Sequence, residues 1–141
     1  MDNHISKEFH DLCRLCIERC QKTVDDIRAL LIDCELNNII AKCENDLNKT
    51  IIISDESIAL CEKVMDHALQ HLKNCNDQEC KQACDAIVYA CKECIKACGD
   101  VEIECDHNLE ACVNVAKNCK EKSKLCIDAI NKYLKIVKNK S

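Results

Sequence analysis

Cys80-Lys81-Gln82-Ala83-Cys84-Asp85-Ala86-Ile87-Val88-Tyr89-Ala90-Cys91-Lys92-Glu93-Cys94-Ile95-Lys96-Ala97-Cys98 is the stretch that decides how this chain folds. Cys80, Cys84, Ile87, Cys91, Cys94 and Cys98 follow one another in steps of four, three, four, three and four residues. That alternation keeps successive side chains on one stripe of an α-helix, the a/d seam of a helix packed against partners. A half-buried strand would alternate with a period of two, which this stretch does not do. Ordinary seams hold Leu and Ile at these positions; here five of the six are Cys.

Working outward, Asn76 through Glu79 reads as an asparagine variant of the capping box that opens this helix. Gly99, the single glycine of the chain, stands just past Cys98, where a helix C-terminus favours a left-handed residue. The last helix is expected to start between Asp100 and Asp106 and to run to about Lys138. Its seam is Cys105, Cys112, Cys119 and Cys126 at steps of seven, completed by Val115, Ala129, Tyr133 and Ile136. The phase of Cys98 runs into Cys105 without a slip, so one helix from Asp77 to Lys138, in an extended coiled coil, is the competing reading. Upstream, Ser54 reads as the cap of a long helix, with Asp55 and Glu56 in its first turn and a stripe of Ile58, Cys61, Met65, Ala68, Leu72 and Cys75. The short link to the next helix makes the two an antiparallel hairpin.

The N-terminal segment has a helical face of Phe9, Cys13, Cys16, Cys20, Ile27, Leu30 and Cys34, with Ser6 as its cap. The stripe then shifts phase to Leu36, Ile40, Cys43 and Leu47, which places a kink or break near Asp33. Asn48 to Ile53 reads as a connection covering the end of the bundle. The expected architecture is therefore an all-α, antiparallel four-helix bundle with a kinked or broken first helix, in one domain spanning residues 1–141.

Composition agrees. The chain of 141 residues has no proline, one glycine and 2% aromatic residues, poor material for a β fold with its turns and branched strands. Charged residues make up 32% and the net charge is −5, which suits a solvated surface and argues against nucleic acid. The one basic cluster, Lys132, Lys135, Lys138 and Lys140, reads as cations complementing the dipole of a helix C-terminus. No run of eighteen apolar residues is present, so no membrane span is expected. The opening residues contain no apolar signal region, so a chain that begins here is expected in the cytoplasm, with reduced or metal-bound thiols.

Sixteen cysteines remain to be explained. A disulfide scaffold of that density is normally loop-rich, and this chain is long helices with few turn signals. Cysteine is a small hydrophobe, and a core built from it leaves space that Leu would fill. Thiolate-bound metal would occupy that space. Soft thiolates select Cu(I), Zn and Fe–S clusters. The C-x₂-C pairs Cys13/Cys16 and Cys91/Cys94 lie inside helices rather than in the loops of zinc knuckles. Neither ferredoxin spacing nor a C-x₂-C-His haem attachment is present. Cu(I) accepts two or three thiolates, and cysteines one turn apart can share an ion: Cys16/Cys20, Cys80/Cys84 and Cys94/Cys98. The heptad cysteines of the last helix are two turns, about 10 Å, apart and need partners from other helices. At roughly one ion per one or two thiolates the capacity is on the order of eight to sixteen ions, a store rather than a catalytic centre. The candidate ligands are Cys13, Cys16, Cys20, Cys34, Cys43, Cys61, Cys75, Cys80, Cys84, Cys91, Cys94, Cys98, Cys105, Cys112, Cys119 and Cys126. His67 and His71, one turn apart, read first as solvated surface residues and second as an entry mouth with Met65; His10 has the same status, and His107 reads as a first-turn residue.

Cys13-Arg14-Leu15-Cys16-Ile17-Glu18-Arg19-Cys20 echoes Cys91-Lys92-Glu93-Cys94-Ile95-Lys96-Ala97-Cys98. In this C-x₂-C-I-x₂-C pattern the chain resembles the copper storage proteins, small four-helix bundles lined with cysteines that hold many Cu(I) ions. The resemblance covers Ser6–Cys20 and Asn76–Cys126. It implies an all-α fold, Cu(I) as ligand, a cytosolic form, homo-oligomers in many members, and delivery by a copper chaperone. Two departures stand out: Gln21–Asn74 carries only Cys34, Cys43 and Cys61, and the last helix has even heptads where the family mixes its spacings.

Three other readings stay open. An exported helical bundle could be cross-linked by interhelical disulfides, which the even cysteine count permits. A less selective sink for Zn or Cd would use the same thiolates. An enzyme is not expected, since no Ser/His/Asp order, phosphate-binding glycine loop or H-E-x-x-H occurs.

Overall fold

The structure, a computed structural model, describes residues 2–37, 43–105 and 108–140. Among them the chain forms four helices, α1 (Asp2–Asn37), α2 (Glu44–Asn74), α3 (Gln78–Glu104) and α4 (Leu109–Lys140), and no strand. Each helix packs on the next, and α4 closes back on α1, so the four enclose a shared interior. No described helix is long and apolar enough to cross a membrane.

Contacts set the levels along the bundle. Phe9 of α1 meets His67 and His71 of α2, Cys16 meets Cys61, and Thr23 meets Ser57. Positions that ascend α1 thus meet positions that descend α2. Between α3 and α4, Cys91 meets Cys126, Cys98 meets Cys119 and Cys105 meets Cys112.

The seam of α3 is buried throughout, and it continues past Cys98 through Val101 to Cys105. Gly99 therefore does not end the helix, and the reading of Gly99-Asp100 as a stop is corrected: α3 runs to Glu104. The continuing seam buries Val101 and Cys105 completely, which outweighs the roughly 1 kcal/mol that Gly costs within a helix. A Cβ at Gly99 would meet nothing within 4 Å. The single long helix is corrected as well, because the chain leaves the helix after Glu104 and re-enters at Leu109. There Asn108 supplies the cap: its Oδ1 accepts from the Ala111 amide at 2.7 Å. At the start of α3 the cap is Asp77 rather than Asn76, its carboxylate accepting from the Glu79 and Cys80 amides.

The middle of the chain departs most from expectation. α1 passes through Asp33 to Asn37, so no break falls at Asp33. Residues 44–53, expected as a tail and a connection, form the first turns of α2, and Ser54 lies inside that helix instead of capping it. Ser6 likewise lies within α1, which begins at Asp2. Ile40 lies outside the described residues, as do Asp106 and His107. The buried face of α2 is Leu47, Thr50, Ile53, Ser54, Ser57, Cys61, Val64 and Ala68, with Ile58, Met65 and Leu72 at its margins. Most of the inward hydroxyls are bonded: Thr50 donates to the Asp46 carbonyl at 2.8 Å, Thr23 of α1 donates to that of Arg19 at 2.9 Å, and the Thr23 and Ser57 hydroxyls lie 2.8 Å apart, whereas the buried Ser54 hydroxyl has no partner among the described residues. In α4 the stripe is Cys112, Ala116, Cys119, Ser123, Cys126, Ile130 and Tyr133; Val115, Ala129 and Ile136 flank it.

Candidate metal centre

Fifteen of the sixteen cysteines are buried and Cys75 is half-buried. Because the seams of the four helices turn inward at matching levels, the sulfurs meet in a column along the bundle. At its centre Cys16 and Cys20 of α1, Cys61 of α2 and Cys126 of α4 have all four Sγ atoms within 4.8 Å of one another. The Cys16–Cys20, Cys16–Cys61 and Cys61–Cys126 separations are 4.0, 3.8 and 4.0 Å. Cys91 of α3 joins Cys126 at 3.8 Å, so every helix contributes. One level on, Cys94 lies 4.0 Å from Cys98, which lies 3.4 Å from Cys119. Ser123 stands among them, its Oγ 3.7 Å from Cys94 Sγ. At the far end Cys105 and Cys112 are 3.0 Å apart, and Cys34 lies close enough to Cys43 and Cys112 for both to affect its ionisation.

The separations of 3.8–4.0 Å in the central group are those of shared metal ligands. Sulfurs about 2.3 Å from one ion stand roughly 3.8 Å apart in a tetrahedral arrangement and roughly 4.0 Å apart in a trigonal one. No pair of cysteines is at disulfide bonding distance.

Electrostatics within the column follow from burial and from thiol–thiol hydrogen bonds. Burial pushes the Cys13 and Cys84 thiols above their ordinary range. In the centre the S–H groups of neighbours can solvate a thiolate that water cannot reach. Hydrogen bonds from Cys126, Cys20 and Cys61 hold Cys16 below the ordinary thiol value, and those from Cys126 and Cys61 bring Cys91 down to about 6. The donors are correspondingly pushed up, Cys126 by Cys16 and Cys61 by Cys126. Cys34 at the far end is pushed up to about 12 by burial and by its bond to Cys43. A buried thiolate without such donors or a cation would be costly; this interior offers the donors.

A second group occupies the opposite end, where α2 turns into α3. His71, Cys75 and Cys80 have their ligand atoms within 4.8 Å of one another, with His71 Nε2 3.5 Å from Cys80 Sγ. It opens into a surface cavity bordered by His10, Asp77, Tyr133 and Lys140. Tyr133 Oη lies 3.2 Å from His10 Nε2, and Phe9 packs beside both rings. Lys140 Nζ stands 2.6 Å from the Asp77 carboxylate, so this C-terminal lysine is paired across the bundle end. Burial, then the neighbouring Cys75, push Cys80 up to about 11.

Comparison with family models, with curated proteins and with solved structures returns no match for this chain. The site is therefore read from its own geometry. Of the sixteen marked cysteines the structure gathers Cys16, Cys20, Cys61 and Cys126 in one group and Cys75 and Cys80 in another, and it separates the two histidines. His71 joins Cys75 and Cys80, whereas His67 turns away, with Nδ1 2.9 Å from the Lys63 carbonyl and Nε2 3.8 Å from Glu8. Met65 is half-buried against the core. Sequence reasoning missed Ser123, although its position three before Cys126 and four after Cys119 fits the seam. Thr23 and Ser57 also went unmarked, their polar character hiding a place on the inward face. The buried cysteine groups can hold metal; what their spacing leaves open is which one.

Proposed function

We propose that this protein binds and stores or buffers several Cu(I) ions through the thiolates of its interior, as a single antiparallel four-helix bundle resident in the cytoplasm. The observation that carries the reading is the continuity of the column. Sulfurs from all four helices follow one another at 3.4–4.0 Å from Cys20 through Cys126 to Cys91 and again from Cys94 to Cys119. A single structural ion would need four ligands and no more. A string of neighbouring sulfurs suits an ion of low coordination number whose thiolates bridge to the next, and softness then favours Cu(I). Charge supports the same choice. Four thiolates on one Zn²⁺ leave a net charge of about −2 in a dry interior, which is expensive. Monovalent ions at one per thiolate leave no net charge on the sulfurs they fill.

Anaerobic titration of the reduced, metal-free protein with Cu(I) against a coloured chelator tests this. Uptake of many equivalents with loss of thiol reactivity is expected; one equivalent or none would defeat it, and displacement of Cu(I) by Zn²⁺ would change the metal. The resemblance to copper storage proteins supports the reading but does not carry it. The disulfide reading has two pairs of its own across α3 and α4, Cys98/Cys119 and Cys105/Cys112. Thiol counting under non-reducing conditions decides between them: four fewer reactive thiols than cysteines, without metal, would favour cross-links.

A further inference from the structure

The group at the α2–α3 turn differs in kind from the column. Its ligands come from ten consecutive residues, His71-x₃-Cys75-x₄-Cys80, and straddle a turn between two helix ends. His71 lies in the last turn of α2, Cys75 follows that helix with extended backbone (φ −90°, ψ 129°), and Cys80 lies in the first turn of α3 behind its Asp77 cap. Two helix ends therefore hold the three ligands in place before any ion arrives. The donor set is one imidazole and two thiolates, with His71 and Cys75 half-buried and Cys80 buried, beside an open cavity.

We propose that His71, Cys75 and Cys80 form a discrete zinc site whose fourth position faces the cavity and takes water or an exchangeable ligand. Nitrogen at ~2.0–2.1 Å and sulfur at ~2.3 Å from a tetrahedral Zn²⁺ stand about 3.5 Å apart. The observed separation of His71 Nε2 from Cys80 Sγ is 3.5 Å. Three protein ligands with one open position is the pattern of an exchangeable zinc site, whereas a closed structural site uses four. Imidazole shifts preference from the softest ions toward Zn²⁺. Charge points the same way: Zn²⁺ with two thiolates and a neutral imidazole is a neutral complex, and it sits at the protein's edge. The same ion on the four central sulfurs would bury about two negative charges. The two regions thus sort metals, Zn²⁺ to the mixed turn and monovalent soft ions to the sulfur column. This site does not depend on the copper reading and stands if the column takes no copper.

The test is to give reduced, metal-free protein one equivalent of Zn²⁺. Zinc-edge X-ray absorption should show a shell of two sulfurs and two nitrogen or oxygen atoms. Competition against a coloured zinc indicator should show affinity falling in His71→Gln and in Cys75→Ser by more than the ~10–100-fold that losing an outer partner of a ligand costs. Both residues are only half-buried, so both variants should keep the helical content of the parent. Zn²⁺ should raise the melting temperature of the parent and fail to raise that of His71→Gln, because an ion that binds only the folded turn stabilises it. A four-sulfur shell, affinity unchanged in both variants, or no uptake of zinc would each overturn the site. Titrating Cu(I) into the same samples reports the column separately: copper uptake without His71-dependent zinc defeats this proposal alone, and the converse defeats only the copper reading.

Discussion

Replacing Cys61 by Ala separates a sulfur that binds metal from one that merely fills space. Cys61 is the one cysteine within α2, is fully buried, and links Cys16 at 3.8 Å to Cys126 at 4.0 Å in the central group. In the metal-free protein the change removes one sulfur from a packed site, a loss comparable to deleting a buried methylene, about 1 kcal/mol. For a domain of this size each kcal/mol is worth about 2–4 °C in melting temperature, so the apo protein should lose only a few degrees. The copper-loaded protein stands to lose more. One ion held at ~1,000 times its dissociation constant stabilises the fold by about 4 kcal/mol, and a site emptied by the substitution forfeits that amount. The combined loss is about 5 kcal/mol, or roughly 10–20 °C. Thermal melts of both proteins, with and without Cu(I) under anaerobic conditions, measure the difference, and metal analysis after desalting gives the copper bound per chain. Val64→Ala, at a buried α2 position without a sulfur, should lower both forms equally. If Cys61→Ala lowers the apo and loaded proteins by the same amount and leaves copper uptake unchanged, the central cysteines are packing residues and the metal reading fails.

Gly99→Ala should stabilise the protein by about 0.5–1 kcal/mol, since Gly99 is helical and a Cβ there meets nothing within 4 Å; a lower denaturation midpoint would mean that the helix does not pass through it. Asn108→Ala removes the side-chain carbonyl that accepts from the Ala111 amide at the start of α4 and should cost about 1 kcal/mol in urea unfolding, whereas Asn108→Asp should cost little. The metal-free, reduced protein should lose stability as the pH is raised above 9. Cys13 and Cys84 are held above the ordinary value of 9.0 chiefly by burial, so the folded state keeps protons that the unfolded chain releases. Their contribution is complete below pH 9.0 and is lost as the pH climbs from there toward their folded values, each by up to about 1.4 kcal/mol per pH unit. Denaturation at stepped pH measures this, and a midpoint that rises across the range would contradict it; the copper-loaded form, its thiolates already deprotonated, should hold its midpoint.

How much of this was legible in the sequence depends on how many signals agreed at each point. Along α3 the step pattern and residue type agreed, and the seam from Cys80 to Cys98 was readable residue by residue, with the start signal one residue early at Asn76 instead of Asp77. At Gly99 two signals conflicted. A glycine after a helical run suggests a stop, while the unbroken phase from Cys98 to Cys105 suggests continuation, and burial of Val101 and Cys105 decided for the second. From Asp33 to Ser54 the conflict went unnoticed. Ser54-Asp55-Glu56 has the composition of a helix start, yet Ser54 and Ser57 face inward on a helix already ten residues old. Polar residues on a buried face defeat a reading based on hydrophobic periodicity; neighbouring carbonyls and hydroxyls satisfy Thr23, Thr50 and Ser57, while Ser54 is carried inward by its place in the helix without a partner for its hydroxyl among the described residues. The site shows the same division. Every sulfur could be named from the sequence, because cysteine at a seam position is visible there. Which sulfurs meet could not, because grouping depends on how far each helix slides along its neighbours, and that is set by where the turns fall. Carrying α3 past Gly99 to Glu104 is what lets Cys98 face Cys119 and Cys105 face Cys112. His71 was distinguished from His67 for the same reason: one turn of helix separates them, and only the position of the α2–α3 turn brings one of them to Cys80.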